Sequence, residues 1–343
     1  MASRHLDTTR SSLVTAGQSP SRHLDRSDLA ADIGRGRAAG SSYSPGRRRS
    51  VGCTMDGTIE RPGWLDHLTD GDRQLLRQVA PAAGAEPAAL GEGEALARVL
   101  AHPATFDAVF GSARSHAPPS ASPFLVFAVA VHRGWAELRG THHVDEWVGP
   151  RQRLPVLGGD DLREFLGSDA RRFFLVELLA SYTRVASGST WVQTRRGWRR
   201  RRFSELDPVR LASLLEVVPA AERPGVYRRL GDLALFLTGV FPDHTELAGL
   251  GPGAQGRLLR IAGMSDGGPG PADVPTDAVA LLEQLGERWY RVAVQTVPAP
   301  LTGSVQVVAD VAERFGLARR SLNYLTDRYL FTRRGGFFGG TPA

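Results

Sequence analysis

The 343-residue chain contains no lysine, so all 42 of its basic residues are arginine. Without lysine there is no phosphate-loop lysine, and no G-x-G-x-x-G follows a strand-like run, so the common nucleotide-binding loops are excluded. The same bias fits coding from a GC-rich genome, which makes arginine content alone a weak sign of function. Cysteine is nearly absent. Cys53 stands alone, which rules out an intramolecular disulfide and a cysteine-built metal site and leads to an expected cytoplasmic location. Long apolar runs are missing too. The strongest, residues 123–131 and 233–237, have the length of core helices and fall short of the roughly 18–20 residues of a membrane span, so no membrane partner is expected. Arg47-Arg48-Arg49 and Val51-Gly52-Cys53 imitate export and lipidation signals. Only Ser50, Val51 and Gly52 separate the arginines from Cys53, where such signals need an apolar segment of roughly 7–15 residues.

The charge present is unevenly placed. Residues 1–54 hold nine Arg against four Asp, and the rest of the chain holds 33 Arg against 32 acidic residues. The net charge of +6 therefore resides mainly in the N-terminal segment and says little about the body. Residues 1–60, rich in Ser, Arg and Gly and poor in apolar side chains, are predicted to be disordered, as are residues 332–343. Globular composition begins at Trp64, within ten residues of Met55, which predicts a true translation start at Met55.

From Trp64 onward the periodicity is helical. Caps and apolar spacing predict helices from Thr69 or Asp70 to Val79, over 95–100 and 104–110, and from Ser122-Pro123 to about Leu138. Further helices are predicted over 160–166 and 168–186, from Asp207-Pro208 to Val217, and over 225–240. The last three are placed from Thr276 to about Val294, over 303–315 and over 318–331. Residues 146–157, with Pro150 and Pro155, are expected to be irregular or extended. The fold class is therefore mainly α: a multi-helix globular bundle with one arginine-rich β-hairpin at about 190–203. Residues 61–331 are expected to form a single helical domain or two closely packed units, 61–116 and 122–331.

That hairpin holds the most extreme stretch of the chain. Six of the eight residues from Arg195 to Arg202 are arginine: Arg195, Arg196, Arg199, Arg200, Arg201 and Arg202, interrupted by Gly197 and Trp198. Thr190 to Thr194 is β-prone, Arg195-Arg196-Gly197 suits a three-residue loop, and Trp198 to Phe203 is the return strand. Alternation then divides Trp198, Arg200 and Arg202 from Arg199, Arg201 and Phe203. Residues 171–202 carry nine Arg and one Glu, so the remaining body is acidic and offers a counter-surface. Solvated or internally paired arginines are the plain expectation, with anion or partner binding the functional alternative.

Other motifs are weaker. Gly263-Met264-Ser265-Asp266-Gly267 has hydrolase-elbow spacing, yet a helix precedes it where the elbow needs a strand. His142-His143 with Asp145 and Glu146 packs four potential ligands together, but adjacent histidines do not converge on one ion, so no metal site is assigned. No cofactor is expected and no catalytic residue is assigned, since 32 carboxylates in the body make neighbouring pairs expected by chance. Ala312, Gly316 and Leu322 have helix-turn-helix spacing, which would set Arg319, Arg320, Ser321 and Asn323 at the start of a base-reading helix. The competing expectation is an ordinary helical hairpin ended by glycine.

Residues 229–243, Arg-Leu-Gly-Asp-Leu-Ala-Leu-Phe-Leu-Thr-Gly-Val-Phe-Pro-Asp, combine LGD, an LF pair, TG and a Phe-Pro ending. This pattern resembles a family of uncharacterised bacterial helical proteins. Trp64-Leu65 with Asp72-Arg73-Gln74-Leu75-Leu76, the stretch 146–150, Phe174 to Leu179 and Gly286-Glu287-Arg288-Trp289-Tyr290 agree with it. The resemblance spans roughly residues 64–331 and implies a start near Met55 but no activity. Within the motif, Leu230, Leu233, Ala234, Leu237 and Phe241 read as a core stripe, Thr238-Gly239 as a close helix approach, and Phe241-Pro242 as a helix end. Asp232 is out of place on an apolar helix and is expected to pair with Arg228, Arg229 or an arginine of another segment.

The function these residues support best is that of a non-enzymatic helical interaction or scaffold protein with an unidentified protein partner. The alternative is a DNA-binding regulator that uses residues 303–331 with the arginine hairpin gripping phosphates.

Overall fold

A computed structural model describes residues 63–111, 121–184, 187–194, 197–264, 275, 277–297, 301 and 303–331, and the side chains of 187–203 are not among the described features. The segments expected to be disordered, 1–60 and 332–343, lie outside the described residues, as do Arg195, Arg196 and Ser265.

The chain is mostly helical, as its periodicity predicts. Helix α1 is a single turn, Trp64–His67, followed by α2 (Asp70–Val79), α3 (Gly93–Ala101), α4 (Pro103–Phe110) and α5 (Pro123–Glu137). A hairpin of β1 (His143–Gly149) and β2 (Gln152–Leu157) leads to α6 (Gly159–Gly167) and α7 (Asp169–Ser181). The second hairpin, β3 (Ser187–Thr194) and β4 (Gly197–Ser204), precedes α8 (Pro208–Ala212), α9 (Arg223–Val240), α10 (Pro242–Ala248) and α11 (Pro252–Ile261). Helices α12 (Ala278–Gln295), α13 (Gly303–Glu313) and α14 (Phe315–Leu325) complete the fold, and α14 runs on into a π-turn at Thr326–Leu330.

Helix starts follow side-chain chemistry. Ser122, Ser168, Asp207 and Asp277 each accept a backbone N–H from the first turn of α5, α7, α8 and α12, satisfying donors that the helix itself leaves open. Asp277 takes the role that the sequence suggested for Thr276. The cap of α2 does more than start a helix. Asp72 accepts the Thr69 N–H at 2.9 Å with one oxygen and the Ser122 N–H at 2.8 Å with the other. A fully buried carboxylate thus joins the starts of α2 and α5.

The core is built around α5, α9 and α12. Helix α5 is buried from Phe124 to His132, and α9 packs along α12 on one side and α14 on the other. Burial on α9 is wider than the expected stripe: Leu235 and Phe236 are enclosed along with Leu230, Leu233 and Ala234. Each such leucine or phenylalanine contributes about 1.5–3 kcal/mol on transfer from water. The contiguous apolar cluster extends from Trp64 to Leu330. The two glycines of the LGD…TG motif set the helix spacing. A Cβ at Gly231 would collide with the Tyr290 ring of α12, and one at Gly239 would come within 2.7 Å of Leu322 on α14.

The segment 146–157, expected to be irregular or extended, is extended and paired, as the hairpin β1–β2. Its strands pair antiparallel from His143↔Leu157 to Gly149↔Gln152. Leu154, Pro155 and Leu157 are exposed, so the apolar alternation that marks a half-buried strand is missing. Tertiary contacts hold it. Arg151 sits in the left-handed region at φ 60°, and its N–H donates at 2.8 Å to Asp243, the carboxylate that follows Phe241-Pro242. Trp147 Nε1 donates to the same oxygen at 2.7 Å, and Arg153 bridges Asp243 and Asp327. Burial would raise the Asp243 pKa, but the Arg151 amide, Trp147 and Arg153 together hold it below the usual carboxylate value.

Candidate functional site

The arginine stretch forms a ribbon of eight paired residues per strand. The register runs from Ser187↔Ser204 through Thr190↔Arg201 and Trp191↔Arg200 to Thr194↔Gly197. Gly197 is therefore a paired strand residue, and two residues connect the strands where three were expected. Residues 187–204 contain no Asp or Glu. The cross-strand partners of Arg199, Arg200, Arg201 and Arg202 are Val192, Trp191, Thr190 and Ser189. No carboxylate sits across the ladder to offset their charge, and like charges at such spacing repel.

Arg229 of α9 holds both feet of this ribbon. On the side entering β3, its guanidinium lies 4.0 Å from the Tyr182 ring centre and donates to Ser181 Oγ at 2.9 Å. On the side leaving β4, it donates to Glu205 at 3.4 Å. Its fourth neighbour is Asp232, one helical turn on, at 3.9 Å. The Arg229 side chain is 13% exposed and that of Asp232 is 14% exposed. Burial works against the Arg229 charge, yet Tyr182, Asp232 and Glu205 together hold its pKa above the ordinary arginine value.

Asp232 carries the connection into the core. It accepts a hydrogen bond from the Tyr290 hydroxyl at 2.8 Å, which the absent Cβ of Gly231 allows by letting the ring lie against α9. Burial, and then the Asp232 charge, push the Tyr290 pKa well above that of a free phenol. The Tyr182 pKa is likewise raised by burial and by Asp232 and Glu205, with Arg229 opposing; its hydroxyl is buried and has no hydrogen-bond partner among the described residues. Burial also raises the Glu177 pKa, against the pull of His67 and Arg228. The arrangement ties both feet of the ribbon to the body through one guanidinium.

The two features that the sequence presents separately, the arginine run and Asp232, are thus parts of one assembly through Arg229. Ser181, Tyr182, Glu205 and Tyr290 were not foreseen as its members. Only Glu205 had a sequence cue, as the first acid after the run.

The helix-turn-helix spacing does not produce a reading helix. Helices α13 and α14 are separated by Arg314 alone, and Gly316 lies inside the first turn of α14, where the motif needs a turn of three or four residues. Arg319 pairs with Glu283 at 2.7 Å and Arg320 with Glu146 at 2.8 Å. Ser321 is fully enclosed. Asn323, 4% exposed, donates to the Thr238 and Gly239 carbonyls of α9. Base reading by these four side chains would require dismantling the contact of α14 with α9 and α12. Elsewhere, His142 and His143 are exposed, and among the described residues no group of three or more His, Cys, Asp or Glu could hold a metal ion. Gly263 follows a helix, and Ser265 lies outside the described residues. Among the described residues no helix is long and apolar enough to cross a membrane.

No protein-family profile, curated protein or solved structure matches the chain.

Proposed function

We propose that this chain is a non-enzymatic interaction protein whose helical body presents the arginine ribbon to an anionic macromolecule. The observation that carries this reading is the ribbon itself, an arginine-rich hairpin whose paired strands hold no carboxylate of their own. The body arginines Arg153, Arg171, Arg172, Arg229, Arg314, Arg319 and Arg320 sit against this chain's own carboxylates. The ribbon has six arginines in eight residues, no acid between 187 and 204, and feet clamped on that body. A pre-organised positive element of this kind loses little conformational freedom on binding and attracts polyanions from a distance. A cytoplasmic location belongs to the same reading and is supported by the single cysteine. So does kinship with the LGD…LF.TG.FP proteins, in which Arg229, Asp232 and Tyr290 are expected to occur together.

Retention on immobilised heparin tests the reading. The chain is expected to bind at about 50 mM salt and to elute as salt screens the contacts. Arg199→Gln, Arg200→Gln, Arg201→Gln and Arg202→Gln combined are expected to lower the eluting salt clearly, with the nine arginines of residues 1–54 accounting for what retention remains. Unchanged elution of that variant would refute the role of the ribbon.

A further inference from the structure

Two tryptophans share a face of the ribbon with two of its arginines. The register pairs Ser189 with Arg202, Trp191 with Arg200, and Gln193 with Trp198. Directly paired residues lie on one face, and successive residues alternate. Trp191, Trp198, Arg200 and Arg202 therefore form one set, and Arg199 and Arg201 fall on the opposite face with Val192 and Thr190. Trp191 and Trp198 are diagonal neighbours, a relation that places residues about 7–8 Å apart. Stacked bases follow one another at about 3.4 Å, so two rings with one base between them stand about 7 Å apart.

Each class of polyanion offers these residues something different. An acidic protein surface supplies carboxylates but no row of aromatic faces. A duplex supplies phosphates, but its base faces are already stacked on one another. A single strand supplies phosphates and open base faces in alternation, the pairing that arginine and tryptophan recognise together. We propose that the Trp191, Trp198, Arg200, Arg202 face binds single-stranded nucleic acid, an assignment that rests on the anion-binding role of the ribbon and names its partner. The indoles stack on bases and Arg200 and Arg202 meet the phosphates. Such binding tolerates many sequences, since every base has a π-face.

Fluorescence anisotropy with the full chain distinguishes the cases. The probes are a labelled 12-residue oligothymidylate, a 12-base-pair duplex and labelled polyglutamate, each at 50 and 200 mM salt. The single strand is expected to bind at least tenfold more tightly than the other two. Trp191→Ala with Trp198→Ala is expected to weaken it by at least about fivefold, since one stacked base is worth about 1–3 kcal/mol, while retention on heparin persists. Trp191→Phe with Trp198→Phe keeps aromatic rings at both positions and is expected to retain most of the binding, which separates lost stacking from lost folding. Arg200→Gln with Arg202→Gln is expected to cost more than Arg199→Gln with Arg201→Gln, although both remove the same charge. Equal affinity for single strand and duplex, preference for polyglutamate, or an alanine pair without effect would overturn the single-strand assignment and leave the anion-binding role standing. Failure to bind any of these probes, or heparin, at 50 mM salt would overturn both.

Discussion

Replacing Arg229 by Met keeps the aliphatic stem and removes the guanidinium that joins α7, the foot of β4 and α9. The structure sets the expected cost. The hydrogen bonds to Ser181 and Glu205 contribute about 1 kcal/mol each. The stack on Tyr182 adds about 1–2 kcal/mol at this degree of enclosure. The pair with Asp232 is long at 3.9 Å and adds little by itself, but the variant leaves Asp232 beside Tyr290 with a nearby guanidinium gone. The total is about 3 kcal/mol, below the upper range for breaking a fully buried pair because water reaches this one. For a body of this size that corresponds to a loss of roughly 6–10 °C in melting temperature. The effect should also be local. Amide hydrogen exchange is expected to quicken in β3 and β4 well beyond the change in α5 or α12, because both feet of the ribbon lose their common holder. Arg229→Lys keeps the charge without the planar fork and is expected to fall between the two. Adding Asp232→Asn to Arg229→Met is expected to recover part of the loss, and the double-mutant cycle isolates that coupling. A loss under about 1 kcal/mol, with ribbon exchange unchanged, would refute the clamp.

Three further expectations follow from the same geometry. Gly231→Ala gains about 1 kcal/mol of helix propensity but drives a methyl into the Tyr290 ring, so a net loss of about 1–3 kcal/mol is expected by urea unfolding, and a stabilised variant would contradict the close approach. Asp243→Ala removes the acceptor shared by Trp147, the Arg151 amide and Arg153, and is expected to cost about 2 kcal/mol and to speed exchange in β1 and β2 first. His132 is buried, its pKa lowered from 6.5 to about 3 by burial and then by Arg172, against the hydrogen bond to the Ala128 carbonyl. Its folded value lies below its unfolded value, so the unfolded state binds the extra proton between them. Stability is thus fully present above pH 6.5 and falls by about 1.4 kcal/mol per pH unit as the pH drops towards 3. His132→Gln is expected to flatten that slope between about pH 6.5 and 4.5 in denaturant titrations, and an unchanged slope would show that other groups set it.

The absence of long apolar runs, the spacing of apolar residues and the caps at Thr69, Ser122, Ser168 and Asp207 made the helical class and most helix starts readable in the amino-acid order alone. Such signals are local, since a cap or a helical period acts within one or two turns of the chain. The arginine ribbon was legible for the same reason: β-prone residues, a turn-forming glycine and a charge run lie side by side. The hairpin at His143–Leu157 was not, because its stability comes from Asp243 and Asp327, about 90 and 174 residues away, and not from alternation in its own strands. The spacing of Ala312, Gly316 and Leu322 misled for a related reason. Spacing cannot show that Asn323 is spent on the Thr238 and Gly239 carbonyls or Arg319 on Glu283. Asp232 marked itself as a carboxylate on an apolar helix, but its role required Tyr290, 58 residues on, and the glycine that admits the ring. The sequence by itself determined most of the helices, the charge run and their order, while α10 and α11 were not foreseen. Only the tertiary structure decided that Arg229 ties that run to Asp232 and the core, because the groups that satisfy one buried guanidinium come from three separate segments and have no common period to announce them.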